Sequence, residues 1–332
     1  MKATRIVTLV CWSITALALL GLAAWFVISS IINIGPIGLN RSEWGRNERG
    51  WSIGFNIESL TGPFEAVGSY NIPAHDIDSV DVGWISGDIR IVPFDGDDIK
   101  IIESAQRALD DSESLHYTVS EGTLSIRFRQ GRGAARMPRK NIEVQIPQQI
   151  SKNLDDFSVN TTSGNVYLNG VGAKDIEIDT VSAAVELTDI SANSLEVDTT
   201  SGRLILNNIR ADEVELNSTS GSITLEDTVT SSRLTAGTVS GAINADGTFN
   251  NARISTVSGK VMFSSLTVPS SLRINTTSGD ITISVPNEGA IPVKHSLTSG
   301  RFSSDIPVIL ENGNDAQFNL SSVSGSIRIL AN

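Results

Sequence analysis

Carboxylates recur at a fixed spacing in the middle of the chain, and they are the side chains best placed to do chemistry. Glu177, Glu196 and Glu215 are each 19 residues apart, and Asp179 and Asp198 follow the first two by two residues. Like charges opposite one another on neighbouring strands repel, so such a group can gather divalent cations or a basic partner. These five residues are the candidate metal ligands. The alternative is a solvated face that prevents aggregation.

A second candidate site is the basic segment, residues 127–140 (RFRQGRGAARMPRK), which contains no acidic residue. A basic loop on an outer-surface protein could hold anionic cell-wall polymers or lipid head groups by charge, or it could be an excursion between strands. The net charge of -12 argues against nucleic acid as a partner. The cations of the segment are Arg127, Arg129, Arg132, Arg136, Arg139 and Lys140.

The rest of the composition argues against catalysis. The three histidines are scattered, and His295 falls in an inward column, where a hydrogen-bonded core histidine is expected. No Ser/His/Asp arrangement can be assembled from the sequence, which also contains no glycine-rich phosphate loop and no Cys/His metal spacing. It therefore predicts a non-enzymatic chain without a cofactor. The enzymatic alternative is polysaccharide cleavage by surface carboxylates such as Asp179 and Asp198.

The elements that would position these side chains are repeats. Between Thr161 and Ile329 one motif occurs nine times. Its first residue is usually Thr or Ser and its second is Thr or Val; Ser-Gly follows, and then a polar and an apolar residue. The copies recur about every 20 residues, and Ala183 replaces the glycine once. A unit of this length cannot bury its own apolar face and must stack on neighbours. The sequence therefore predicts an all-β, elongated β-solenoid (a single-chain β-helix) of about 19–20 residues per coil, with two main strands meeting at a Ser-Gly corner.

Alternation along the strands assigns each column to the core or to solvent. We call the position of the motif's glycine the glycine slot. The residues seven and five before this slot, and two and four after it, are mostly apolar and form the predicted core. The same parity turns inward the residue three before the slot and the serine one before it, where neighbouring coils must supply hydrogen-bond partners. This structural ladder comprises Thr161, Ser163, Gly164, Thr199, Ser201, Gly202, Ser220, Gly221, Ser240, Gly241, Ser258, Gly259, Ser278, Gly279, Ser324 and Gly325.

The outward column six residues before the slot holds the glutamates and changes sign along the chain. The acidic part could therefore bind a basic partner, including the basic end of another copy. The column reads Ser158, Glu177, Glu196, Glu215, Thr235, Arg253, Arg273 and Lys294.

Weaker copies extend the repeat towards the N-terminus. SVDVGWISGDIRIV from Ser79 fits the same template, and YTVSEGTLSI from Tyr117 fits it with one extra corner residue. NIEVQIP from Asn141 reads as another inner strand. We expect one solenoid domain over residues 77–332 and a spacer, with a possible N-terminal cap, over residues 35–76.

Residues 6–34 contain no Asp, Glu, Lys, Arg or His. About 20 apolar residues suffice to cross a bilayer, so residues 1–34 are predicted to form a short cytoplasmic stub and a transmembrane anchor. A cleaved signal sequence is the alternative, because Lys2 and Arg5 precede the apolar run. A retained anchor predicts a single-pass cell-membrane protein with a cytoplasmic N-terminus and an extracytoplasmic solenoid.

The phrases SVDVGWISGDIRIVP and NIEVQIP and the repeated Thr-(Thr/Val)-Ser-Gly motif resemble a widespread bacterial domain family of unknown function. The family is catalogued as adhesins and has LiaG-like envelope proteins among its relatives. The likeness covers roughly residues 77–332. It implies a membrane-anchored β-strand-repeat protein of the bacterial cell envelope, and it carries no catalytic residues over to this chain.

The leading hypothesis is a non-enzymatic envelope protein that presents the rigid solenoid for adhesion, binding or scaffolding, with a cell-wall polymer, a lipid head group or another envelope protein as partner. The alternative is an envelope-stress sensing or regulatory protein that acts through a membrane partner. The last predicted strand, Ser326–Leu330, ends two residues before the C-terminus. Because an uncovered edge can pair with another chain, we predict self-association or capping by a partner at the C-terminal coil.

Overall fold

The computed structural model describes residues 63–129, 138–312 and 316–332. All of them belong to one compact unit, Ser59–Gly133 with Pro138–Asn332, and the second unit lies outside the described residues. The described residues form strands and no helix, which confirms the all-β class. No described helix, accordingly, could span a membrane. The predicted anchor, residues 1–34, lies outside the described residues.

The strands form one sheet that closes into coils. A strand, β1, lies within the predicted spacer of residues 35–76. In chain order the strands are β1 (Glu65–Pro73), β2 (Ser79–Ser86), β3 (Ile89–Phe94), β4 (Asp98–Ala105), β5 (His116–Ser120), β6 (Thr123–Arg127), β7 (Lys140–Pro147), β8 (Leu154–Ser163), β9 (Val166–Asn169), β10 (Gly172–Thr180), β11 (Val185–Thr199), β12 (Leu204–Ser218), β13 (Ile223–Thr238), β14 (Ile243–Ser258), β15 (Val261–Ser265), β16 (Ser271–Ser278), β17 (Ile281–Val285), β18 (Ile291–Ser299), β19 (Phe302–Ser304), β20 (Val308–Leu310), β21 (Phe318–Ser324) and β22 (Ile327–Ala331).

Successive layers pair in parallel, as a solenoid requires. The first part of β11 pairs with β9, and its second part pairs with β10. Strands β11 to β14 therefore run from one layer into the next, because one repeat equals one coil. A bend inside these strands, six residues after the glycine slot, places Asp189 at φ 57° and Asn208 at φ 51°. Asp and Asn are the non-glycine residues that tolerate this left-handed conformation best.

The predicted core columns are confirmed. Residues seven and five before the slot are buried in nearly every layer, as are residues two after it. In the layer of β8 and β9 these residues are Phe157, Val159 and Val166, each at most 1% exposed. Layered stacking explains this burial, because each inward side chain is covered by its counterparts above and below.

The prediction for the structural ladder is right for the threonine column and wrong for the serine column. The threonine column faces inward: Thr161 and Thr199 are 0% and 7% exposed, and Thr180 Oγ1 donates to Thr199 Oγ1 at 2.8 Å across layers. The serine column was predicted to face inward, and this is wrong. The serines are exposed in most layers, because each strand ends either at the threonine column or at the serine itself, and the alternation does not continue into the corner. The exposed serines are Ser201, Ser220, Ser240, Ser258, Ser278 and Ser324, whereas Ser163 is half-buried.

Close approach of successive layers explains the corner glycine. A Cβ atom on Gly202 would lie 1.5 Å from the carbonyl oxygen of Ala183 in the preceding layer. Gly164 additionally has φ +122°, which disfavours other residues. The glycine amide is also used, since Gly202 N donates to Thr199 Oγ1 at 3.0 Å.

At the N-terminal end the layers do not follow chain order. The layer of β2 and β3 lies between that of β6 and β7 on one side and that of β8 and β9 on the other. The template match from Ser79 and the inner strand at residues 141–147 are confirmed. The segment from Tyr117 was predicted to be a coil corner, and this is wrong. Strands β5 and β6 form an antiparallel hairpin, whose turn residues Glu121 and Gly122 both have positive φ.

The C-terminal end shows the same interleaving. Strand β21 pairs with both β16 and β18, and β22 pairs with both β17 and β19. The chain skips one layer after β17, forms β18 and β19, and then returns to fill the gap. The prediction that the C-terminal coil has an uncovered edge is therefore wrong. The outermost layer is that of β18 and β19, and β20 pairs with only part of β18.

Candidate functional site

The acidic ladder, Glu177, Asp179, Glu196, Asp198 and Glu215, lies on the outer face of what we call the first wall. This wall consists of the strand segments that precede the Ser-Gly corners. Glu177 pairs with Glu196 and Asp179 with Asp198, and Glu196 pairs in turn with Glu215. Neighbouring layers are about 4.8 Å apart, so the carboxylates of one column are close neighbours. The glutamates are exposed and the aspartates half-buried.

Burial and mutual repulsion make this ladder hard to ionise completely. Burial raises the pKa of Asp179 to about 7, and the charges of Glu177, Asp198 and Glu196 add to the effect. Burial is also the largest cause that raises the pKa of Glu196, followed by the charge of Asp198. The pKa of Asp198 is raised mainly by burial. The structure thus brings all five sequence-predicted carboxylates together on one surface.

The arrangement of the ladder is linear. Among the described residues no three His, Cys, Asp or Glu side chains converge as a metal site requires. The carboxylates follow two straight columns, and Asn217 continues the aspartate column with an amide that donates to Glu215 Oε1 at 3.1 Å. Such a surface matches an extended array of cations better than a single ion.

The glutamate column becomes basic on the far side of Thr235. Glu215 pairs with Thr235, Thr235 with Arg253, and Arg253 with Arg273. Both arginines are exposed, and neither forms an ion pair within the described parts of the chain. The order of this column in the stack differs from its order along the chain at one place. Asn319 lies between Arg273 and Lys294, because the C-terminal layer is inserted there.

Lys140 does not belong to a basic surface. Its side chain is 0% exposed, and its Nζ lies 2.6 Å from Glu103 Oε1. The ammonium also donates to the backbone oxygens of Glu113, at 2.5 Å, and Phe128. Its assignment as a contact for anionic polymers or lipids is therefore wrong. Lys140 lies two residues before Ile142, so the inward parity of β7 could have revealed its burial.

The surroundings of Lys140 form a closed polar box that sequence analysis missed. The Lys140 ammonium lies 4.1 Å from the ring centroid of Phe128 and 5.1 Å from that of Trp84. Burial lowers the pKa of Lys140, while the charge of Glu103 opposes this shift. Three acceptors satisfy the three ammonium protons, so the box holds a charged lysine and joins segments distant in sequence. Glu103 carries no sequence signal apart from its place in β4.

The remaining basic residues divide into described and undescribed ones. Arg127 pairs with Asp81, and Arg139 lies 3.9 Å from Asp88 Oδ1. Arg129 also has an interaction partner. Arg132 and Arg136 lie outside the described residues. The described part of the basic segment is thus largely engaged within the chain.

The histidines do not join the acidic ladder. His75 lies beside Asp76 on an exposed loop, and His116 lies in the β5 hairpin. His295 was expected to be a hydrogen-bonded core residue, and this is wrong, because it lies half-buried in the outermost layer and its Nδ1 has no hydrogen-bond partner among the described residues. Its ring stacks on Phe302 with centroids 4.2 Å apart.

The carboxylates proposed for polysaccharide cleavage, Asp179 and Asp198, lie on the outer face of the first wall. The described surface cavity between Phe249, Asn250 and Thr267 contains neither of them.

Comparisons with known proteins agree on the fold. The chain covers 97% of a crystal structure from Parabacteroides distasonis described as a "putative adhesin", with 80% of this chain aligned, 14% identity and a TM-score of 0.50. It covers 96% of a second structure from the same organism, a "putative lipid binding protein", with 79% of this chain aligned, 20% identity and a TM-score of 0.51. At these identities the likeness is one of fold alone. No curated protein sequence matches the chain.

A family profile supplies the assignment. It matches residues 77–329, nearly the whole stack of coils and three quarters of the chain. The repeated Ser-Gly corners and the inward apolar columns lie within this range. The chain belongs to the Toastrack DUF4097 family, the family of unknown function that its repeat motif indicated.

Proposed function

We propose that this chain is a non-enzymatic, membrane-anchored protein of the bacterial cell envelope, whose solenoid presents a rigid charged wall for binding or scaffolding. The observation that carries the proposal is the first wall itself. Its inward columns are buried in the core, whereas its outer face holds the five carboxylates of the acidic ladder and, farther along the same column, the exposed Arg253 and Arg273.

The fold suits a scaffolding role because continuous backbone pairing holds the first wall together. Parallel pairing runs without a break from β6 to β18 along the first wall. Side chains on such a ladder keep fixed spacing, and a partner with matching periodic charges would bind it without large ordering costs. The "adhesin" and "lipid binding" descriptions of the similar structures are consistent with a surface that binds.

The anchoring part of the proposal rests on residues 6–34, which contain no charged side chain. Protease treatment of intact cells and of opened cells tests it. An extracytoplasmic solenoid is cleaved in intact cells, and its cleavage only after the membrane is opened would contradict the proposed location.

Affinity capture tests the binding role. The full chain is cross-linked in living cells and recovered from detergent-solubilised envelopes, beside a variant with Glu177, Glu196 and Glu215 changed to Gln. We expect a polymer, lipid or membrane protein that is recovered with the wild type and depleted in the variant. Equal recovery from both would remove the acidic ladder from the proposal, and recovery of nothing specific with either would contradict the proposal as a whole.

A further inference from the structure

The two halves of the first wall carry opposite charges at matching distances from one central layer. That layer contains the second part of β13, residues 231–238, whose Thr235 stands between Glu215 and Arg253 in the glutamate column. Glu196 and Arg273 stand two layers from Thr235 on opposite sides. Layers repeat at about 4.8 Å, so each glutamate is as far from Thr235 as the matching arginine.

We propose that two copies of this chain associate face to face through their first walls, related by a two-fold axis along β13. This inference concerns self-association and does not depend on membrane anchoring or on an envelope ligand. A rotation about that axis reverses the order of layers and keeps every column in place. It sets Glu215 of one copy opposite Arg253 of the other, and Glu196 opposite Arg273. Symmetry makes each pair occur twice.

The aspartate column fits the same operation. Asp198 lies two layers from the axis and would meet Asn275, which lies two layers away on the other side. Asp179, three layers away, would meet Ser321. Gly237 lies on the axis and leaves room for its own counterpart. No carboxylate of this column meets another one.

An apolar strip accompanies the charges. Two of the exposed large hydrophobic residues, Val257 and Val323, lie in the outward column next to the corner and are 40% and 48% exposed. Val323 would meet Val181, since the two stand three layers from the axis on opposite sides. Val239 lies on the axis and would pack on its own counterpart. Contact along this strip would remove apolar surface from water.

Charge also selects the orientation. A two-fold axis that follows the glutamate column in the stacking direction would place glutamates on glutamates and arginines on arginines, and like charges across an interface are costly. One like-charge contact remains in the proposed arrangement, because Arg233 on the axis would approach its counterpart. Glu213, 3.5 Å from Arg233, reduces this repulsion.

The size of the wall predicts a weak dimer. Roughly seven layers and seven residues per strand give about 30 Å by 20 Å, or about 600 Å² per partner. That is at the lower end of specific interfaces, where association is transient. The pairs are exposed, so the dimer should weaken strongly with salt.

Cross-linking tests the geometry in the full chain. Cys11, the only cysteine, is first replaced by Ser, and Thr235→Cys then places a thiol on the axis. Sheets that pack face to face are about 10 Å apart, so a short homobifunctional maleimide should join two copies. The matched control is Thr224→Cys. Thr224 is a half-exposed threonine in the wall formed by the strand segments that follow the Ser-Gly corners. We expect dimer from Thr235→Cys at low salt and little from the control. Equal yields from the two positions would overturn the proposal.

Charge reversal tests the pairing. One variant carries E196K and E215K, and the other carries R253E and R273E, each with T235C and a tag of different size. Each variant alone should lose dimer, about tenfold or more, because like charges then meet.

A mixture of the two variants should regain dimer as the mixed species. The two introduced lysines of one copy then face the two introduced glutamates of the other, and the unchanged arginines of the first copy face the unchanged glutamates of the second. Recovery also shows that both variants are folded. Failure of the mixture to cross-link, while both variants keep wild-type melting, would refute the proposed axis.

Discussion

The replacement of Asp179 by Asn tests the electrostatic account of the acidic ladder. Asp179 pairs with Asp198 on one side and Asn160 on the other, and Glu177 lies two residues away on its strand. Asn160 and Asn217 occupy the same column, so an amide of the same shape fits this position. The substitution removes one charge from the acidic ladder and leaves the backbone hydrogen bonds between neighbouring layers intact.

The raised pKa of Asp179 sets an upper limit on the effect. A pKa of about 7, against an ordinary value of 3.8, is a shift of about three units. Each unit corresponds to about 1.4 kcal/mol, which gives about 4 kcal/mol. Solvent at the outer face screens the carboxylates, so we expect about 1–2 kcal/mol of the free energy of unfolding. For a domain of this size that is about 2–6 °C in melting temperature.

The sign of the pH dependence follows from proton binding. Between about pH 4 and pH 7 the folded chain holds a proton on Asp179 that the unfolded chain has lost. The stability of the wild type therefore falls as pH rises through this range, and the full penalty is present above pH 7. Asp179→Asn carries no such penalty. It should exceed the wild type in stability at pH 8, and by clearly less at pH 5, where only part of the penalty is present.

Thermal and urea unfolding of the full chain at pH 5 and pH 8, at low salt, measures the difference. Asp246→Asn is the control, because Asp246 is exposed and pairs with Ser264 outside the ladder. A gain for Asp179→Asn that is equal at both pH values, or no gain at pH 8, would refute the reasoning. So would an equal gain for the control.

Two further substitutions test the interior. Lys140→Met leaves the Glu103 carboxylate buried without its cation and should destabilise the fold by about 3–5 kcal/mol. The double variant with Glu103→Leu should recover part of this loss, and chemical denaturation measures both variants. A double variant that is no more stable than the single one would contradict the ion-pair account. Gly202→Ala forces its Cβ to within 1.5 Å of the Ala183 carbonyl oxygen, so the layers must shift and the melting temperature should fall by several degrees. A Cβ atom on Gly237 would meet only side chains, those of Asn217 at 3.1 Å and Ser255 at 3.6 Å, so Gly237→Ala should be nearly neutral. Equal losses at the two positions would argue against close layer contact as the reason for glycine.

The acidic ladder could be predicted from sequence because it depends only on local periodicity. Glu177, Glu196 and Glu215 share one repeat offset, and equal offsets in equal coils must align. The basic segment could not be interpreted in the same way. In the sequence Lys140 cannot be distinguished from the other cations of the basic segment. Only the packing of Glu103, Trp84 and Phe128 around it shows that it is a buried cation.

The serine column marks the limit of parity reasoning within the repeat. Alternation holds while the backbone is extended, and it correctly turned Thr199 inward. It fails at Ser201 because the chain turns there, and a turn rotates the next side chain independently of the strand period. The glycine slot was recognised from sequence, but its cause is contact with the carbonyl of the preceding layer, which only the stacking of the layers reveals.

By itself the sequence determined the all-β class, the coil length and the inward columns, because all three follow from a repeat in which strand periodicity and apolar residues coincide. Only the tertiary structure decided the order of the layers at the two ends. Strands β21 and β22 fill a gap between β16–β17 and β18–β19, and the layer of β2 and β3 is enclosed in the same way. Every repeat presents the same edge, so local sequence cannot specify which layer is its neighbour. That choice depends on the connecting segments and on the packing of whole layers, and it places the C-terminal coil inside the stack instead of at its end.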